Sequence, residues 1–251
     1  MKRVTLLCGL LLAITAGVAT AGPGVEIRWD ACLPSGGAIN KNFACNTNGG
    51  GEQITASFIL GEDILQASGQ EVVIDLASAT SVLPAWWGFK NVGTCRQLSL
   101  GLNTTIGLVS PCTDWASGSA TGGLGAYNIG ERGPNTARIK IAIAVPAAAL
   151  ADLFAGQDYF SCNLTINNLK TVGTGACLGC GNAVCIVFNS IKCTTQLPIN
   201  DRTITGPANG FDSDFCTWQG GGGVTVGGVT GCGAATPTRN ATWGAVKALY
   251  H

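Results

Sequence analysis

The chain has 251 residues and no formal net charge at pH 7, and only 11% of its residues are charged. No basic stripe runs through it, so the composition argues against a nucleic-acid-binding protein. The one histidine, His251, is the last residue, which argues against Ser-His and Cys-His catalysis. Glycine is abundant, with 37 residues, and a surface with so few charges tolerates self-association.

The first 21 residues have the pattern of a secretory signal peptide. Lys2 and Arg3 are basic, residues 4–18 are apolar, and Ala19 to Ala21 form a small-residue cleavage site. The apolar run is too short to favour a membrane anchor, and no later stretch is long enough to span a bilayer. We therefore expect a secreted protein, extracellular or at the cell surface, whose mature chain begins at residue 22.

Short runs that alternate apolar and polar residues predict β-strands along the mature chain. These runs are Val25 to Trp29, Ile54 to Leu60, Val72 to Leu76, Leu98 to Leu102, Ile139 to Val145, Phe160 to Ile166 and Val184 to Cys193. In the last run the apolar set changes phase after Phe188, which predicts a one-residue bulge near Asn189. In the run before it, Phe160 and Cys162 are expected on the same face.

Two segments between these runs predict other structure. Ala147 to Ala155 is rich in Ala and Leu and lies between Pro146 and Gly156, a pattern typical of a short helix. Thr113 to Asn135 is rich in Gly and predicts a long loop, either functional or partly folded onto the strands.

The pattern as a whole predicts an all-β protein, an antiparallel jelly-roll-like β-sandwich over residues 22–198 with one short helix. The composition changes after residue 198, and we expect residues 199–251 to form a Gly-rich β appendage with an amphipathic tail. In that tail Trp243, Val246 and Tyr250 would share one face of a helix.

Eleven of the 12 cysteines follow the signal peptide, and in an exported protein they predict a disulfide framework. They are Cys32, Cys45, Cys95, Cys112, Cys162, Cys177, Cys180, Cys185, Cys193, Cys216 and Cys232. Pairing of neighbours would give Cys32–Cys45, Cys95–Cys112, Cys162–Cys193 and Cys216–Cys232, and the remaining trio would give one bridge and a spare thiol. The alternative is a four-thiolate zinc site at Cys177, Cys180, Cys185 and Cys193, but export favours oxidation to disulfides.

Two further groups of residues are candidate ligand-binding sites. Trp86, Trp87 and Trp115 could stack on sugar rings, although tryptophan more often packs in a core or anchors a loop. Asp212 and Asp214 could hold calcium through their carboxylate oxygens, although no EF-hand pattern follows them. No other cofactor is indicated.

Several segments carry a resemblance to known sequences. They are Pro134 to Arg138, Gly156 to Phe160, Thr171 to Cys177, Cys180 to Ile191, Trp218 to Gly222 and Thr242 to Tyr250. The chain resembles a family of uncharacterised secreted bacterial proteins, over most of its mature length. The resemblance implies export and a shared β-sandwich, and no catalytic residue. The strand order is more distantly similar to cohesin-type and carbohydrate-binding jelly rolls, which is a likeness of fold alone.

Export, sandwich patterning and Gly/Asn-rich loops predict a non-enzymatic binding or surface-structural protein. Its partner would be a glycan or another component of the cell surface. The alternative is a carbohydrate-active enzyme that uses two carboxylates. The candidates include Glu62, Asp63, Asp212 and Asp214, but nothing in their spacing selects a pair.

Overall fold

The computed structural model describes residues 22–89, 92–107, 112–210, 213–221, 225–226 and 229–230, and over these residues the chain is an all-β sandwich. The strands are β1 Gly24–Trp29, β2 Asn40–Lys41, β3 Gly51–Ile59, β4 Ile64–Ser78, β5 Leu100–Asn103, β6 Thr113–Asp114, β7 Thr121–Ile129, β8 Thr136–Ala144, β9 Ala151–Leu153, β10 Asp158–Asn167, β11 Val184–Thr195, β12 Arg202–Thr205, β13 Phe215–Trp218, β14 Thr225–Val226 and β15 Val229–Thr230. Short 3₁₀ turns occupy Leu33–Ser35, Ala85–Trp87, Ala147–Ala149, Pro198–Asn200 and Ala208–Gly210. Within this part of the chain, no helix is long and apolar enough to cross a bilayer.

Two sheets face each other across one apolar core. The smaller sheet has the order β1-β3-β10-β5, with β6 beside β10. The larger sheet has the order β2-β13-β11-β4-β8-β7, with β9 against β4 and β12 against β11. Nearly all of these pairs are antiparallel, while β6–β10 and β13–β2 are parallel. The strands β14 and β15 form a separate two-stranded sheet.

Most of the alternating runs form strands with the predicted faces, but Leu98 precedes β5 and is 67% exposed, so its predicted place in the strand is wrong. In β8, Ile139, Ile141 and Ile143 are buried in the core, while Lys140 and Ala142 are exposed. The bulge predicted near Asn189 is confirmed, because the register between β11 and β4 shifts there. Local alternation therefore reports the inward face correctly wherever the strand is regular.

An unpredicted bulge lies in β10, between Phe160 and Cys162. The expectation that these two residues share a face is wrong. Cys162 packs in the main core, while Phe160 packs with Cys32 and Cys112 in a separate cluster. The extra residue changes which side of the sheet the earlier part of the strand presents.

The segment expected to be a helix forms none, and the Gly-rich segment is partly folded onto the larger sheet, which was one of the two expectations for it. Ala147–Ala149 is a single 3₁₀ turn, and β9 follows it at Ala151–Leu153, paired with the start of β4. So short a run cannot hold a helix without tertiary support, and the edge of β4 offers strand hydrogen bonds instead. In the Gly-rich segment from Thr113 to Asn135, residues 121–129 form β7, which pairs with β8.

The sandwich continues past the boundary expected near residue 198, because β12 and β13 both pair with β11. The chain around β13 also joins the two sheets at one edge. The backbone N–H groups of Val25 and Ile27 in β1 donate to the carbonyls of Gly206 and Ser213, at 2.8 Å each. The indole of Trp29 donates to the carbonyl of Thr217 at 2.8 Å. The predicted signal peptide and amphipathic tail lie outside the described residues.

Three disulfides connect remote parts of the described chain. They are Cys32–Cys112, Cys45–Cys180 and Cys95–Cys177, with sequence separations of 80, 135 and 82 residues. The predicted pairs Cys32–Cys45 and Cys95–Cys112 are therefore wrong, as is Cys162–Cys193, whose cysteines are free and buried. The entropic cost of closing a loop is lowest for cysteines that are close in sequence, but this cost grows slowly with loop length. The pairing of the strands brings remote loops together, and this decides which cysteines meet.

The same disulfides correct the expectations for the cysteine-rich loop. Cys177 and Cys180 are oxidised to two different partners, so they do not bridge within the trio, and they are not available as zinc thiolates. Cys185 is disulfide-bonded as well. Cys216 is a buried thiol whose pKa is raised by burial. The predicted pair Cys216–Cys232 involves Cys232, which lies outside the described residues.

A buried arginine holds the aromatic part of the core. The Arg96 guanidinium lies 3.6 Å from the ring centre of Trp86, and Nε and Nη1 donate to the carbonyls of Leu169 and Trp86 at 3.0 and 2.9 Å. Nη2 donates to the carbonyl of Asn167. Burial lowers the pKa of Arg96 to about 10. This cation is stabilised by carbonyl dipoles and an aromatic face.

We expect Arg96→Lys to lower the free energy of unfolding by about 2–4 kcal/mol, because an ammonium cannot reproduce three directed hydrogen bonds and the planar stacking. Urea denaturation followed by tryptophan fluorescence measures the change. The matched control is Arg132→Lys, because Arg132 is half-exposed. Its free energy of unfolding is expected to lie within about 0.5 kcal/mol of the wild-type value. Equal stabilities of the two variants would contradict the role of Arg96.

Candidate functional site

The tryptophans proposed as a sugar-stacking platform are buried. Trp86 and Trp87 are both 0% exposed. Trp86 stacks on Trp218 with 5.2 Å between ring centres, and Trp87 packs edge-on against the same ring at 5.6 Å. Their faces are not available to a ligand, so this part of the prediction is corrected. Trp115 is also buried but lies at the base of a surface cleft.

The cleft has a volume of about 570 Å³ and lies at the end of the sandwich where β6, β9 and the start of β10 meet. Its lining comes from side chains between residues 113 and 119 and between residues 149 and 159. The first stretch follows the Cys32–Cys112 disulfide, and the second is the segment that replaced the predicted helix. A cleft of this size is in the range that holds a small ligand.

Strand alternation places the aromatic wall of the cleft. Leu153 in β9 points into the core, so its neighbours Asp152 and Phe154 face outward. Phe154 is 57% exposed, so its ring is accessible to a ligand in the cleft. Its backbone N–H donates to the hydroxyl of Tyr159 at 2.8 Å, which fixes the turn that presents the ring.

Polar side chains hold the opposite wall and the rim. Asp114 accepts hydrogen bonds from the backbone N–H groups of Ala116 at 3.0 Å and Gly118 at 2.7 Å, so its two oxygens shape the loop. The amide of Gln157 donates to the hydroxyl of Thr113 at 2.7 Å. These bonds are made before any ligand arrives, so the walls are pre-organised.

Asp152 is the hydrogen-bond acceptor in the cleft that is most accessible to a ligand. Its Oδ1 accepts from the backbone N–H of Gln66 at 2.9 Å, which ties β9 to the start of β4. Its side chain is exposed. With Ser117 and Ser119 on the other wall, the cleft combines carboxylate and hydroxyl groups with an exposed aromatic face. That combination suits a ligand with hydroxyl donors and an apolar ring face.

The acidic residues named from the sequence do not form a catalytic pair. Glu62 is ion-paired with Arg202, and Asp63 accepts from the backbone N–H of Ala155 at 2.8 Å. Asp214 is buried, while Asp212 lies outside the described residues, so the calcium site remains a prediction. In the part of the chain that the structure describes, no three His, Cys, Asp or Glu side chains converge to hold a metal ion.

Two further carboxylates, Glu26 and Asp158, lie on the outer face of the smaller sheet, the first buried and the second half-buried. Glu26 in β1 is 2% exposed and accepts a hydrogen bond from the hydroxyl of Ser57 at 3.2 Å. Burial, reinforced by the charge of Asp158, raises the pKa of Glu26 to about 7. Burial also raises the pKa of Asp158 to about 6. The sulfur of Cys112 lies 3.2 Å from Asp158 Oδ2, so the disulfide lies against this pair.

Comparisons with known proteins give a distant structural likeness. No protein-family model matches the chain, and no curated protein matches it. The chain is similar to the second type II cohesin module from the cellulosomal adaptor ScaA scaffoldin of Acetivibrio cellulolyticus. The identity is 12%, the match covers 74% of this chain and 90% of that chain, and the TM-score is 0.32. A likeness this distant does not carry over a ligand or a partner.

Of the residues that line the cleft, only Trp115 was a candidate from the sequence. Asp152 and Phe154 lie in the segment from Ala147 to Ala155, which the sequence predicts to be a short helix. The signal was present in the short alternation around Leu153, with Asp152 and Phe154 on the other side of the strand. Gln157 and Tyr159 could not be grouped with residues 113–119, because only the pairing of β6 with β10 brings them together.

We expect the stability of the protein to fall as the pH rises from about 4.5 to about 7, because folded Glu26 keeps a proton that the unfolded chain releases in this range. The folded state binds more protons there, so one such group changes the free energy of unfolding by as much as about 1.4 kcal/mol per pH unit. Urea denaturation across this range measures the slope, and Glu26→Gln should reduce it.

The matched control is Glu71→Gln, because Glu71 is an exposed carboxylate in β4. This variant should keep the wild-type slope. A Glu26→Gln protein with the same pH dependence as wild type would show that folding does not change the protonation of Glu26.

Proposed function

We propose that this protein is a secreted, non-enzymatic binding protein that holds a glycan of a surface in the cleft beside Phe154. The observation that carries the proposal is an exposed aromatic face next to fixed polar acceptors in a concavity of about 570 Å³. Sugar rings present apolar C–H faces and hydroxyl donors, so both parts of the cleft have a counterpart on such a ligand.

Export is supported by the disulfides and by the sequence of the first 21 residues. Disulfides persist in oxidising compartments and are rare in the cytosol. Three of them connect loops of the described chain. A sandwich whose loops are held in this way presents a rigid surface to the outside, which suits a binding or surface-structural role.

The construction of the cleft favours binding without rearrangement. Asp63 and Asp152 accept backbone hydrogen bonds that connect the turn between β3 and β4 to the segment that carries Phe154. Because these contacts are already made, a ligand need not order the walls, and the entropic cost of association is lower. Affinity then depends on the ring face of Phe154 and on the acceptors around it.

We expect Phe154→Ala to weaken glycan binding at least about tenfold, which corresponds to about 1.4 kcal/mol. A glycan array identifies a bound oligosaccharide, and isothermal titration calorimetry of the full mature chain measures the affinity. Since Phe154 is exposed, its removal should leave the melting temperature close to that of wild type.

The control is Leu178→Ala, which removes an 82% exposed apolar side chain from the cysteine-rich loop and should not affect binding. Equal affinities of wild type and Phe154→Ala for every bound oligosaccharide would place the binding site elsewhere. The absence of any bound glycan on the array would reject a glycan partner.

A carbohydrate-active enzyme is the second candidate, because two carboxylates, Asp114 and Asp152, line the same cleft. Glycoside hydrolysis needs a pair of carboxyl groups on either side of the bond that breaks. Glu26 and Asp158 do not fill this role, since Glu26 is buried and neither lines the cleft. Asp114 uses both oxygens to hold its own loop, which argues for a structural role.

Long incubation of a bound oligosaccharide with the protein distinguishes the two candidates by chromatography of the products. We expect the oligosaccharide to be recovered intact, because Asp152 is the one carboxylate of the cleft's described lining that does not hold its own loop. Cleavage by wild type that is lost in both Asp114→Asn and Asp152→Asn would establish the enzyme instead.

A further inference from the structure

The charged side chains in the described lining of the cleft are all acidic. Its described lining contains the carboxylates of Asp114 and Asp152 and no lysine, arginine or histidine side chain. Asp63 adds a third carboxylate behind the same wall, where it accepts the hydrogen bond from Ala155 next to Phe154. A ligand that enters therefore meets negative charge around the aromatic face.

Two basic side chains on neighbouring segments form ion pairs with other carboxylates. Arg202 is ion-paired with Glu62, at the turn that leads into Asp63. Lys192 lies 2.9 Å from Asp201. Neither cation lines the cleft, so neither neutralises Asp152 by contact.

Asp152 is placed to interact with a charge on the ligand. Its Oδ1 is bound by the backbone of Gln66, so the carboxylate is oriented, while its side chain remains exposed at the cleft. A hydrogen bond from an ammonium group to a carboxylate is about twice as strong as a neutral one. A concave site lined by charge of one sign also attracts ions of the other sign over a longer distance.

The same charges disfavour an acidic sugar. Two like charges about 4 Å apart at a protein surface repel each other by more than the thermal energy, before screening by salt. A uronate or sialate ring that stacked on Phe154 would bring its carboxylate close to Asp152. Repulsion of this size is enough to distinguish glycans with the same ring faces.

We infer that the cleft selects a glycan bearing free amino groups over a neutral glycan, and that it rejects an acidic one. This inference rests on the proposed glycan-binding function and specifies its ligand class. Phe154 supplies contact that any sugar ring can use, while Asp152 supplies the selection by charge.

The test compares three oligosaccharides of equal length with the full mature chain at pH 5.5, namely oligomers of glucosamine, of N-acetylglucosamine and of glucuronic acid. Calorimetric titrations at low and at moderate salt give the dissociation constants. We expect the glucosamine oligomer to bind at least about tenfold more tightly than the neutral one at low salt, with a smaller ratio at moderate salt. The glucuronic acid oligomer should bind most weakly.

Variants separate the charge selection from the binding itself. Asp152→Asn should weaken binding of the glucosamine oligomer more than binding of the neutral oligomer, and so reduce the preference for glucosamine to within about twofold. Phe154→Ala should weaken binding of every oligomer, and the control Glu71→Gln should alter none of the dissociation constants.

Different results overturn the inference and the function on which it rests. Neutral or acidic oligomers that bind as tightly as the glucosamine oligomer, or a preference that persists in Asp152→Asn, would overturn the selection by charge while glycan binding stands. If no oligomer binds in a way that depends on Phe154, the proposed function and the selection both fail.

Discussion

The burial of one cation, Arg96, determines how the core of this sandwich is built. An unpaired guanidinium is costly to remove from water, and this one has three backbone carbonyls and the ring of Trp86 around it in place of a carboxylate. To satisfy it, the loop after β4 must fold against the end of β10, where Asn167 and Leu169 supply two of the carbonyls. The neighbouring Cys95–Cys177 disulfide holds the same two segments together.

The opposite end of β10 carries the cleft, which lies next to the Cys32–Cys112 disulfide. There, Asp63 and Asp152 accept single backbone hydrogen bonds, and Tyr159 fixes the turn at Phe154. Because a disulfide lies near each end of this strand, the cleft can present an apolar ring to solvent without loss of the fold. Binding residues on loops of a stable scaffold are a common arrangement for this reason.

Carboxylates have two distinct roles in this protein, and burial decides between them. Glu26 is buried and Asp158 is half-buried near the Cys32–Cys112 disulfide, so the pKa values of both carboxyl groups are raised and their protonated forms are favoured. Asp152 remains in contact with solvent at the cleft, where its charge can act on a ligand. The two roles differ because the carboxylates lie in different strands and are exposed to solvent to different extents.

The sequence by itself determined the features that depend on local periodicity. The inward faces of β8 and β11, with the bulge near Asn189, follow from alternation within one strand. Only the tertiary structure decided four other features. They are the cysteine pairs, the orientation of Phe160 away from the main core, the strand β7 in a Gly-rich segment and the cleft beside Phe154. Each depends on which distant strands pair and in what register, and a period of two within a strand carries no information about its neighbours.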